Sequence, residues 1–133
     1  MVLHGGVPAT ARRLALQRLA DVPPNQPRLI LATGRYIGEG FDDPRLDTLF
    51  MAMPIAWKGT LVQYAGRLHR LHPGKREVQI YDYVDDSLAV FRKMFEKRMR
   101  GYRAMGYHVE ASSGSPLLDG LDPLDDWDIP PTV

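Results

Sequence analysis

Four short apolar runs, at residues 1–3, 28–33, 47–53 and 77–84, set the limits on how this chain can fold. Each is too short for a core helix and each meets a break: His4-Gly5-Gly6, Gly34, Pro54 and Asp85-Asp86. Runs of this kind read as strands buried on both faces. The segments between them have helical spacing. Ala11, Leu14, Ala15 and Leu19 step along a helix that Pro8 opens and that ends near Ala20. Leu88, Phe91, Phe95, Met99 and Tyr102 step by three or four along a longer helix, with Asp86 and Ser87 as its cap. Strands alternating with helices predict an α/β domain, three-layered, with a mainly parallel sheet of about four strands. That domain is expected over residues 1–110. Residues 111–133 lose all periodicity and read as an acidic, Pro/Gly/Ser-rich disordered tail.

Composition excludes several classes. No run of eighteen apolar residues occurs, so no transmembrane helix is expected. There is no cysteine, which removes disulfides and cysteine-based zinc sites and fits a cytoplasmic protein. The formal charge of +1 hides an asymmetry: five of the 16 acidic residues, and none of the 17 Lys and Arg, lie at 111–133. The first 110 residues therefore carry +6, a balance that permits nucleic-acid contact without requiring it.

The stretch at 63–70, Gln-Tyr-Ala-Gly-Arg-Leu-His-Arg, carries the chemistry. It reads as a two-turn helix that places Gln63, Arg67 and Arg70 on one face and Tyr64, Leu68 and Leu71 on another. Gly66 leaves room for a close approach. Two guanidinium groups one turn apart suit phosphate oxygens, being planar, always charged and able to donate in parallel pairs. The residues alone leave two plainer readings open. The arginines can be solvated surface charges, and Thr60 with Gln63 fits a capping box. Trp57 can stack on a base or pack half-buried. Arg92, Lys93, Lys97, Arg100 and Arg103 line the outer face of the long helix, as a nucleic-acid face or a solvated one. His69 and His72 are spaced for a metal but lack a third ligand, and no metal is expected.

The order of these features resembles the second RecA-like lobe of superfamily 2 helicases of the DEAD/DEAH type, nearest the bacterial restriction- and conflict-system-associated branch. The resemblance covers residues 1–108. His4-Gly5 precedes an Arg-bearing helix, Ala32-Thr33 ends a strand, Glu39-Gly40-Phe41-Asp42 follows, and Gln63, Gly66, Arg67 and Arg70 complete the last motif. The resemblance implies a RecA-like fold that lacks its opening strand and helix. It implies that Arg67 and Arg70 are arginine fingers to ATP, and that Gln63 binds phosphate or orders the attacking water. Gly40, Asp42 and Gly66 would then be nucleotide-binding, and Thr33, Gly34, Gly5 and Arg12 would touch the backbone of a nucleic-acid strand, DNA rather than RNA. ATP and Mg²⁺ would be held by an N-terminal RecA-like lobe, since these residues contain no Gly-x-x-x-x-Gly-Lys-Ser/Thr. Alone the chain would be inactive. Gly34 stands where the family has Asp, and Ala9 where many members have Gln. A second function class remains beside this one: a non-catalytic nucleic-acid-binding or scaffold module.

Overall fold

The computed structural model describes residues 1–34, 42–55 and 58–110. The chain divides into two compact units, one of Met1–Asp47 with Gly66–Val78, the other of Thr48–Ala65 with the chain from Gln79 onward. The elements in order are β1 (Val2–Leu3), α1 (Ala9–Ala20), β2 (Leu31–Ala32), β3 (Thr48–Met51), α2 (Lys58–Leu68), β4 (Gln79–Asp82) and α3 (Ala89–Ala104).

In the first unit β1 and β2 run parallel, with Val2 opposite Leu31 and Leu3 opposite Ala32. The charged N-terminus extends the ladder by donating to the Leu29 carbonyl at 2.8 Å. The turn after β1 is closed by His4, whose Nδ1 accepts the Gly6 N–H at 3.1 Å. A Cβ on Gly6 would stand 3.1 Å from that imidazole, so the turn favours glycine. Leu3 and Leu19 are buried together, with Met1, Leu16, Ile30, Ala32 and Leu46 packed around them. This core is thin. Leu14 and Ala11, expected inside, are exposed, and Leu16 takes the inner position instead.

In the second unit β3 and β4 run parallel from Thr48↔Gln79 to Met51↔Asp82. The two faces of this ladder differ. Phe50 and Tyr81 stack at 5.0 Å between ring centroids on one face, and each is about half exposed. Met51 and Asp82 point the other way. Arg98, on α3 and 2% exposed, forks onto Asp82 with Nε at 2.7 Å and Nη2 at 2.9 Å, and gives Nη1 to the Ile55 carbonyl at 2.8 Å. The Tyr102 hydroxyl donates to Asp82 Oδ2 at 2.7 Å. With Phe95, Met99 and Tyr102 buried along α3, this network fixes the helix to one face of the ladder.

A three-layer sheet of about four strands, of RecA-like type, does not form among the described residues. The strands pair two by two, β1 with β2 and β3 with β4, and the first pair is two residues long. The apolar runs misled because their outward residues stay uncovered: Val2, Leu29 and Leu31 in the first unit, Phe50, Tyr81 and Tyr83 in the second. Parallel strands with one bare face are unusual, and the apolar content of the runs suggested the commoner arrangement. Two boundary expectations are also corrected. α2 begins at Lys58 and ends at Leu68, so Thr60 is not its cap and Arg70 lies beyond its end. α3 begins at Ala89 with Leu88 at its cap position and no side-chain cap; Asp85 instead accepts the Ser87 N–H at 2.9 Å, in the turn before it. The tail at 111–133 lies outside the described residues.

Burial, and next the charge and hydrogen bond of Asp82, raise the Tyr102 phenol above its ordinary 10.0. A phenol held neutral in the fold contributes stability that is present below that ordinary value and lost as pH rises beyond it. Urea denaturation should therefore show stability falling above pH 10, and Tyr102→Phe should flatten that fall while costing about 1 kcal/mol at neutral pH. Arg98→Ala, which strands Asp82, should cost about 3–5 kcal/mol.

Candidate functional site

The first unit gathers its charged groups around one short turn, Asp42-Asp43-Pro44-Arg45. Asp43 is 6% exposed and works as the anchor. Its Oδ1 accepts the Arg45 backbone N–H at 3.1 Å and Nε at 2.8 Å, and its Oδ2 accepts Nη2 at 2.9 Å. The same guanidinium donates to the Val22 carbonyl at 2.8 Å and the Leu19 carbonyl at 3.1 Å. One arginine thereby closes the turn and ties it to the last turn of α1 at Leu19 and to the chain just past it at Val22. Arg28 comes in from the other side at 3.6 Å from Asp43 Oδ2. Burial pushes the Asp43 carboxyl up, and the Arg28 guanidinium pulls it back down.

The anchored turn presents Asp42 outward. Its carboxylate meets both arginines of the 63–70 stretch, Arg70 Nη2 at 3.2 Å and Arg67 Nη1 at 3.9 Å. Arg67 stands in the last turn of α2 and Arg70 just past it. Lys75 holds that end in place: its ammonium donates to the Leu68 and Arg70 carbonyls, both at 2.7 Å. A cation there also faces the negative end of the helix dipole. Burial lowers the Lys75 ammonium, while Asp47 and then Asp43 oppose that shift. The two guanidinium groups and Asp42 remain partly open, with side chains 25%, 58% and 40% exposed. They form an accessible pair of forks that share the Asp42 carboxylate, an arrangement that can release toward a stronger anion.

The other expected site residues are not gathered here. Gln63 is exposed on α2 within the second unit. Gly66 is exposed, and a Cβ built on it would meet nothing within 4 Å, so no close neighbour explains it. Thr33 and Gly34 are exposed after β2, with the Thr33 N–H donating to the Leu3 carbonyl at 3.0 Å. Gly5 is exposed in the turn after β1, and Arg12 is exposed on α1. Gly40 and Trp57 lie outside the described residues. Among the described residues no group of three His, Asp or Glu side chains could hold a metal ion, and no helix is long and apolar enough to cross a membrane. Sequence reasoning missed Asp43, Arg45 and Lys75. The Asp-Pro turn and the Lys just past a His-Pro-Gly break were the available signals.

Over 84 residues, 62% of this chain, the sequence is 34% identical to uncharacterized protein 108L of invertebrate iridescent virus 3, and the match spans 74% of that protein. No protein-family model matches the chain. No solved structure matches it.

The anchor and the forks should respond differently to mutation. Asp43→Ala leaves Arg28 and Arg45 facing no carboxylate and should cost about 3 kcal/mol. Arg70→Ala removes one partner of an open ion pair and should cost under about 1 kcal/mol. Urea denaturation monitored by circular dichroism separates the two.

Proposed function

We propose that this chain, which belongs to the same family as uncharacterized protein 108L of invertebrate iridescent virus 3, supplies the arginine fingers of a nucleic-acid-dependent ATPase of the superfamily 2 helicase or translocase type. The observation that carries this reading is the convergence of Arg67 and Arg70 on Asp42. It joins, inside one unit, the end of the Gly-Phe-Asp segment and the end of the Gly-Arg-x-x-Arg segment, more than twenty residues apart in sequence. A carboxylate that holds two fingers ready, without burying them, is what a site needs when its phosphate arrives from elsewhere.

Phosphoryl transfer spreads negative charge over the transferred group and the leaving oxygen. In the proposed cycle ATP, with its Mg²⁺, is brought by a P-loop lobe outside these 133 residues. The γ-phosphate then competes with Asp42 for Arg67 and Arg70. A multiply charged phosphate offers more acceptor oxygens than one carboxylate and wins the forks. DNA is the proposed nucleic acid, with Gly5, Arg12, Thr33 and Gly34 as backbone contacts that position a strand without reading its sequence. The proposed setting is the cytoplasm.

The test is nucleic-acid-stimulated ATP hydrolysis by the chain assembled with its P-loop lobe. Arg70→Ala should lower the turnover number by about 10³, with little change in stability. Unchanged turnover in that variant would refute the reading.

A further inference from the structure

We infer that the first unit holds a second anion site, distinct from the Arg67–Arg70 pair, that takes the phosphate group of a small phosphate ester. A cavity of about 410 Å³ lies between the connector before β2, the turn after Asp43 and the loop after α2, and its walls include Gln26, Arg28, Arg45, Asp47, His72 and Lys75. Three cations, Arg28, Arg45 and Lys75, thus meet two carboxylates, Asp47 on the wall and Asp43 behind it, which leaves an excess of one positive charge. Arg45 takes both oxygens of Asp43, so the excess falls on Arg28 and Lys75.

Arg28 is left over. Its side chain is 8% exposed and stands 3.6 Å from Asp43, too far for a hydrogen bond. Its Nη2 donates to the Pro23 and Gln26 carbonyls, each at 3.1 Å. Its Nη1 is sealed from solvent and meets no acceptor among the described residues. A buried charged donor without an acceptor is rare in folded proteins, and a turn of the Arg28 guanidinium toward the cavity would let an anion there supply what it lacks. Lys75 adds a second donor. Two of its three ammonium protons serve the Leu68 and Arg70 carbonyls, which leaves one for a ligand.

The donors come from separate loops, which fits a tetrahedral anion better than a planar carboxylate. The cavity is far larger than a phosphate alone and falls within the size range of small-molecule sites, so the group arrives on an organic body. A neighbouring cavity of about 480 Å³ shares Arg45 and His72 and offers Leu16 and Leu19 as an apolar wall for that body. This site stands whether or not the arginine-finger reading does.

Calorimetry on the full chain tests it, with inorganic phosphate, adenosine monophosphate and a thymidine decamer as the three probes. Phosphate should bind with a dissociation constant below about 1 mM, and the mononucleotide should bind more tightly. Arg28→Lys and Lys75→Gln should each weaken both by about ten-fold. Asp47→Asn removes the wall carboxylate and should tighten both by about three-fold, a gain that misfolding cannot produce. Failure of the folded wild-type chain to bind phosphate or the mononucleotide overturns the inference. So does weakening seen only in Arg70→Ala, which would place the phosphate at the finger pair. Binding of the decamer alone overturns it in favour of a backbone contact.

Discussion

The Asp43–Arg45 fork is the constraint on which the first unit depends. Among the described residues of this unit the buried apolar side chains are Leu3, Leu19 and Leu68, and apolar packing of that kind gives a charged group no direction. A bidentate guanidinium–carboxylate pair supplies what the core lacks, because its two parallel bonds fix direction as well as distance. Arg45 then gives donors to the Leu19 carbonyl near the end of α1 and to the Val22 carbonyl just past it. Helix, turn and Asp42 are thereby locked in one arrangement. The pair is too buried to be a solvated ornament, and its loss would leave two cations facing nothing.

The exposed cluster built on that anchor is of another kind. Open ion pairs contribute little to stability, since water screens the attraction and the side chains lose freedom in making them. Asp42, Arg67 and Arg70 are therefore poor candidates for holding the fold together. Their geometry has more to say about exchange: one carboxylate, two forks, and access for a competing anion. In the second unit the contrast runs the other way. Arg98, Asp82 and Tyr102 also form a charged network, but it is dry, its donors and acceptors are satisfied, and it secures a helix to a ladder. Both units use arginine; exposure separates the two uses.

The helices and strands were legible because their signals are local. The α3 stripe of Phe95, Met99 and Tyr102 was readable at helical spacing, and the apolar runs located all four strands to within a few residues. The assembly of the strands was not readable, because a run such as Arg-Leu-Ile-Leu-Ala-Thr looks the same whether one face or both faces are covered. Arg98 went unnoticed for a similar reason. It sits among exposed cations in sequence, and only its distance of 16 residues from Asp82, closed by the fold, makes it a core residue. The two arginines meet one carboxylate, Asp42, but do not share one helical face. Arg70 lies past the helix end, and the Lys75 ammonium, invisible to periodicity, holds it there.

The central proposal is that Arg67 and Arg70 bind transferring phosphate more strongly than resting phosphate. The direct measurement is the affinity of the chain, assembled with the proposed P-loop lobe, for adenosine diphosphate with and without aluminium fluoride as a mimic of the phosphoryl group in flight. Arg67→Ala and Arg70→Ala should each weaken binding of the fluoride complex by about 10² or more while leaving the diphosphate alone nearly unaffected. An equal loss for both ligands, or no loss for either, would contradict the account.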